Sequence, residues 1–253
     1  MASRDEILGY CDRLLEIDEF SDYGPNGVQV PGTAEVSRVA TGVSANLEFL
    51  EGAVSFGAEL VLVHHGLLWG GELEALSVPM AARLRTLLCN EVSLAAYHLP
   101  LDAHPEIGNN ALLREALGLE PDPRPFGEAK GKAIGMIGLA PEPLPVAELA
   151  AKLGEAVGRE PLVLDSGPER IESVGIVTGG GGFAIHEAGP LGLDALVIGE
   201  PSEPLMGEAR EYGVHLIAGG HYATETAGIR RLGELVAERF AVEQRFIDVP
   251  NPI

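Results

Sequence analysis

The stretch LVLVHHGLLWGG, residues 60–71, decides how the fold is read. Leu60 to Val63 is an unbroken apolar run rich in β-branched residues, the pattern of a short strand buried on both faces, and it ends on two adjacent histidines. Strands of that kind belong to parallel sheets covered by helices, where ligand-binding groups stand at the carboxyl ends. Neighbouring residues on a continuing strand point to opposite faces, so His64 and His65 can serve one site only if the strand stops there. Gly66 supplies the freedom to stop it. One histidine at a strand end is more often an ordinary hydrogen-bonded residue than a ligand, so the pair needs company before it means anything.

The chain repeats itself, and the repeat supplies that company. EVSRVATGVS, from Glu35, resembles RIESVGIVTGG, from Arg170, an offset of 135 residues; the same offset lays GAELVLVHHG on GLDALVIGEP and sets His65 opposite Glu200. EVSLAAYHLPLD and GVHLIAGGHYATE correspond at an offset near 122. Each copy alternates helix and strand, with helical spacing in Ile7, Leu8, Cys11, Leu14 and Leu15 and left-handed helix ends expected at Gly57 and Gly192. The pattern predicts an α/β protein of two similar, internally duplicated units, with largely parallel strands packed by helices. The proline-rich stretch EPDPRPFGEAKG is the candidate linker, dividing the chain into 1–122 and 123–253, and KAIGMIGLA is an extra strand of the second unit.

Composition narrows the function classes. With 253 residues, 46% of them hydrophobic, the chain is long enough for two real cores. Seventeen basic against 38 acidic residues leave a net charge of −21, which opposes attraction to nucleic-acid phosphate or anionic lipid. DNA binding would need a local basic lining from residues such as Arg83, Arg85, Arg230 and Arg231, and is the weakest of the function classes. Two cysteines, Cys11 and Cys89, both in helical segments, support neither a disulfide framework nor a thiolate cluster. The charged, amphipathic N-terminus has no signal-peptide core and no run is long enough to span a bilayer, so a soluble cytoplasmic protein is expected.

Polar residues collect at the predicted strand ends: His64 and His65; His98 and Asp102 in HLPLD; Glu200 and Glu203 in GEPSE; His221 and Glu225 in HYATE. Residues i and i+4 share a helix face, so His221 and Glu225 can reach one ion if HYATE opens a helix, whereas Pro100 predicts a turn in HLPLD. Imidazole with carboxylate and no thiolate suits Zn, Mn, Fe, Ni or Co. The donors exceed what one tetrahedral ion needs, so a dinuclear site with a bridging carboxylate is expected between the two units, its ions roughly 3.5 to 4 Å apart with a polarised water between them.

These residues carry a family resemblance that covers nearly the whole chain. NGVQVPG, VHHGLLWGG, HLPLDAHPEIGNN, GEPSE and GHYATE, in that order, resemble the Nif-three-like (YbgI-type) dinuclear metal-centre proteins, often named GTP cyclohydrolase I type 2 homologues. The resemblance implies two metal ions bound by His64, His65, Asp102, His221 and Glu225, with Asp102 bridging and His98 close by. It also implies a toroidal homo-hexamer whose sites face an internal cavity. Two readings of function follow. One is a metal-dependent hydrolase that acts on a small, nucleotide-like substrate with His98 as the catalytic proton shuttle, GTP cyclohydrolase activity being the family's label. The other is a metal-binding toroid that serves as scaffold, metal carrier or partner-binding protein without turnover.

The remaining motifs read more plainly. VTGGGGF, residues 177–183, is a tight strand-to-helix turn in preference to a phosphate cradle, since it lacks the Lys-Ser/Thr of a P-loop. Trp69 is the single tryptophan and either covers the site, stacks on a base or packs. Gln29 follows an Asn-Gly turn; Pro105 and Asn109 read as turn and capping residues, and His104 as a residue behind the metal ligands rather than one of them; His186 and His215 read as structural.

Overall fold

The computed structural model describes residues 1–70 and 75–253, so Gly71, the last residue of the opening stretch, lies outside the described residues. The chain begins with strand β1 (Ala2–Ser3), helix α1 (Arg4–Leu14), strands β2 (Gly27–Val30), β3 (Glu35–Val36) and β4 (Arg38–Ser44), and helix α2 (Leu47–Phe56). There follow β5 (Leu60–His65), α3 (Val78–Cys89), β6 (Ser93–Ala96), α4 (Leu99–Ala103) and α5 (Asn109–Ala116). Next come β7 (Glu120–Ala129), β8 (Lys132–Leu144), α6 (Val146–Val157), β9 (Leu162–Leu164), β10 (Ile171–Val177) and α7 (Ile185–Leu191). The chain closes with β11 (Ala195–Ile198), α8 (Leu205–Tyr212), β12 (His215–Ala218), α9 (His221–Thr224), α10 (Thr226–Phe240) and β13 (Glu243–Phe246).

Two compact units result: Met1–Leu101 with Gly228–Val249, and Asp102–Ala227 with Pro250–Ile253. These limits differ from a division after residue 122, which falls inside β7, and they put Asp102 in the second unit. The first unit holds a five-stranded sheet ordered β13-β4-β5-β6-β2, in which only β2 runs antiparallel to its neighbour. The second holds six strands ordered β7-β8-β10-β11-β12-β9; β10, β11 and β12 are parallel, flanked by antiparallel β8 and β9. The duplication is thus visible as two parallel triplets, β4-β5-β6 and β10-β11-β12, each edged by one antiparallel strand on the side of its third member.

Each triplet forms for the reason its sequence suggests. β5 is buried through Val63, and Val61 and Val63 pack with Phe49, Leu50 and Leu94; Val174, Ile176, Val197 and Ile217 pack with Leu149 and Leu153 of α6. Each such side chain contributes about 1.5–3 kcal/mol on burial. Helices α2 and α7 end on Gly57 and Gly192 in the left-handed conformation, as expected, and turn the chain into the next parallel strand.

Two local expectations are corrected. The proline-rich stretch is not a linker: it is β7, an edge strand paired only with β8. Pro123 and Pro125 fall where the register shifts, between Asp122 and Phe126, and an edge strand with such an irregularity tolerates residues that cannot donate. HLPLD is not a simple turn either, because α4 begins at Leu99 and Pro100 sits in its first turn, where no intrahelical donor is needed. None of the helices among the described residues is long and apolar enough to cross a membrane.

Candidate metal centre

In the first unit the carboxyl ends of β5 and β6 bring three imidazoles together. One ring nitrogen each of His64, His65 and His98 lie within 4.8 Å of one another, and the ring centroids of His64 and His65 are 4.7 Å apart. β5 ends at His65, so the strand break that lets both histidines serve one site occurs where Gly66 permits it. A Cβ at Gly66 would stand 2.4 Å from the Gln29 amide, which presses against the backbone there. Gln29 Oε1 accepts the N–H groups of Leu67 and Leu68 at 2.8 and 3.1 Å and pins the loop leaving the histidines.

Every imidazole in this cluster is held through Nδ1. His64 Nδ1 lies 2.9 Å from the Tyr97 carbonyl, His98 Nδ1 lies 2.8 Å from Asp22 Oδ1, and His65 Nδ1 lies 3.1 Å from the Ser44 hydroxyl. A carbonyl or carboxylate oxygen only accepts, so Nδ1 carries the proton in His64 and His98, and Nε2 presents its lone pair. That is the tautomer a metal ligand or proton acceptor requires. Asp22 also accepts from the Tyr23 and Leu99 N–H groups and from Asn26, whose own Oδ1 takes the His98 N–H. Burial would raise the Asp22 carboxyl, but the bonds from His98, Asn26 and Tyr23 together hold it below the usual carboxylate range. Trp69 stands beside the cluster, its indole N–H donating to the Gly66 carbonyl at 3.0 Å and its ring 5.1 Å from that of His98.

In the second unit, the equivalent strand ends place His221 between two carboxylates. Its Nδ1 is 3.2 Å from Glu200 Oε1 and its Nε2 3.2 Å from Glu225 Oε1. The helix does not run on through Glu225: α9 stops at Thr224 and α10 starts at Thr226, yet the i, i+4 pair still meets. Glu225, followed by Glu200, stabilises the imidazolium and pushes His221 up to about 9 against the opposing effect of burial. Glu225 is wedged under the glycine-rich turn, where Gly179 adopts a φ of +62 and a Cβ would lie 2.0 Å from Glu225 Oε1. The Gly179 carbonyl accepts from the Gly199 and Glu200 N–H groups, and its N–H donates to Thr224 Oγ1, tying the three strand ends together. The turn reading of VTGGGGF therefore holds, with the close approach of a carboxylate as its reason.

Asp102 is buried in the same unit. Its Oδ1 accepts from Asn109 Nδ2 at 2.8 Å, while Asn110 donates to the Asp102 and Ile134 carbonyls and takes the Thr178 N–H. Asn109 is thus not a cap: Gly108 is the N-cap of α5, and the asparagine side chain orients a carboxylate. His104 Nδ1 accepts the Glu106 and Ile107 N–H groups and so shapes the turn between α4 and α5. His215 is buried and donates to the Pro168 carbonyl, a structural role as expected.

The donor chemistry fits divalent transition-metal ions: imidazoles held by hydrogen bonds at Nδ1, and buried carboxylates at Asp102 and Glu225. Thiolates play no part. Cys11 is buried and, by burial first and the Asp12 charge second, its thiol is pushed up to about 12, while Cys89 is exposed at the end of α3. Residues 2–252 match the model of the family described as Duf34/NIF3 (NGG1p interacting factor 3). The chain belongs to the Duf34/NIF3 family. A Duf34/NIF3 relative from Pseudomonas aeruginosa, named GTP cyclohydrolase 1 type 2 homolog, is 44% identical over 246 residues and covers 97% of both chains. The Escherichia coli protein of the same name is 44% identical over 253 residues, covering 98% of both. Among solved structures, protein ybgI, described as of unknown function, superposes with a TM-score of 0.93 at 41% identity over 100% of both chains. A Thermus thermophilus protein does so with a TM-score of 0.87 at 33% identity, again over 100% of both.

Asp22, Asn26, Gln29 and Asn109 are the residues that sequence reasoning passed over or assigned to turns. For Asn109 a signal existed, since it lies only seven residues from Asp102, at the start of the next helix. Asp22 reaches His98 across 76 residues, beyond any spacing rule.

Proposed function

We propose that the chain is a metal-dependent hydrolase that holds two divalent transition-metal ions through His64, His65, Asp102, His221 and Glu225, with Asp102 as the shared ligand. The observation that carries the reading is the His64–His65–His98 cluster, in which hydrogen bonds from Nδ1 to a carbonyl and a carboxylate prepare His64 and His98 to act through Nε2. Bound ions of this kind supply Lewis acidity and make water a nucleophile at neutral pH. Asn109 holds Asp102 through Oδ1, and Gly179, bonded to Thr224, gives Glu225 the room it occupies. His98, whose Nδ1–H donates to Asp22, accepts a proton at Nε2 and returns it to the leaving group. The names of the relatives, GTP cyclohydrolase 1 type 2 homolog, support a small substrate with a nucleotide-like ring. The reading carries with it a cytoplasmic homo-hexamer, checked by light scattering.

Two variants test the assignment. Asp102→Ala should abolish metal binding, whereas His98→Ala should keep the ions and reduce turnover by about 10²–10⁴-fold, the range of a lost acid–base group. Loss of metal from the His98 variant as complete as from the Asp102 variant would make His98 a ligand and end its proton-transfer role. Full metal with no turnover on any hydrolase substrate would favour the non-catalytic scaffold.

A further inference from the structure

Two aromatic rings stand exposed beside the imidazole cluster. Trp69 is 46% and Tyr23 48% exposed, and their centroids lie 5.1 and 6.1 Å from that of His98, while Trp69 is also 5.7 Å from His65. Neither stands on slack chain. The loop bearing Trp69 is pinned by Gln29 and by the indole N–H on the Gly66 carbonyl, and the Tyr23 N–H is bonded to Asp22, which also holds His98. The two loops touch through backbone, since a Cβ on Gly24 would lie 2.3 Å from the Leu68 carbonyl oxygen. With the indole N–H of Trp69 bonded inside the loop, what its half-exposed ring offers a ligand is aromatic carbon, oriented by that bond before any ligand arrives.

We infer that Trp69 and Tyr23 form a stacking subsite for a planar heteroaromatic ring, a nucleobase or a fused heterocycle of similar shape, delivered edge-on to the His64–His65–His98 cluster. The inference rests on the proposed hydrolase reading and assigns the ring of its substrate a binding place. Stacking suits such rings because every one of them has a π-face, and a rigid indole and phenol lose little freedom on binding. An aliphatic ligand would gain apolar contact from these two side chains but not the face-to-face stacking a planar ring obtains.

The single tryptophan makes the test direct, because all indole emission comes from Trp69. Metal-replete full-length protein is titrated with guanosine, adenosine and uridine, with ribose as control, exciting on the red edge of the indole band. Saturable quenching by a nucleoside and none by ribose is expected. Trp69→Ala and Tyr23→Ala should each weaken nucleoside binding in equilibrium dialysis about tenfold, with Trp69→Phe keeping most of it and metal content equal in all three. Absence of saturable quenching by any nucleoside, or undiminished binding by Trp69→Ala, overturns the inference. The ion content of the same samples separates the two ideas. Full metal without quenching sinks the stacking subsite alone, and quenching in a chain that binds no ion sinks the hydrolase reading alone.

Discussion

Gly179→Ala is the substitution whose consequence follows most directly from the geometry. Two costs act at this position: a φ of +62, and a new Cβ 2.0 Å from Glu225 Oε1 and 3.1 Å from His221 Nε2. Gly192 separates them, because it has a φ of +67 and nothing within 4 Å of its Cβ position. Gly192→Ala should therefore carry only the backbone penalty, about 1–2 kcal/mol, or roughly 2–8 °C in melting temperature. Gly179→Ala adds an overpacking cost of about 1–3 kcal/mol, because Glu225 is buried and the colliding atom is the oxygen that bonds His221. The assay is a pair of thermal melts with elemental analysis of both proteins. Gly179→Ala should melt several degrees below Gly192→Ala and lose metal, while Gly192→Ala keeps its full complement. Equal melting temperatures with equal metal would refute the wedge between the glycine turn and Glu225.

Other outcomes are equally specific. Asp22→Asn keeps an acceptor for His98 but loses the charge and turns one oxygen into a donor facing N–H groups; urea titration should show a loss of about 1–3 kcal/mol, and an unchanged midpoint would contradict the assigned hydrogen bonds. Gln29→Ala frees the Leu67 and Leu68 N–H groups, so Trp69 emission should shift to the red as its loop loosens. Cys89 should react with a thiol reagent in native protein and Cys11 only after denaturation. The Cys11 thiol rises from 9.0 to about 12 on folding, so the unfolded chain ionises first; stability is intact below about pH 9 and falls between there and about 12. Cys11→Ala should flatten that part of the pH profile, and an identical alkaline slope in both proteins would show that the thiol does not contribute.

The strand ends were legible because the signals are local: an apolar run stopped by His64 and His65, and a second copy of the same frame bearing Glu200 and His221. What escaped was set by contacts distant in sequence or by sheet position. Gln29 clamps a loop 38 residues on, and Asp22 works 76 residues away, so neither is marked by periodicity or motif. Prolines at 121, 123 and 125 read locally as a break, and only the sheet order shows that β7 is an edge where such residues are tolerated. The unit limits escaped for a related reason, since β13 comes from the chain's end yet pairs with β4.

The central claim is most directly tested by metal content. Tag-free protein, purified without added metal and then offered Zn, Mn, Fe, Co and Ni in turn, is analysed by elemental mass spectrometry beside a variant carrying His65→Ala and His221→Ala. About two ions per chain, lost in the variant, is the predicted result. A wild-type chain that stays empty with every metal would make these histidines structural and contradict the account.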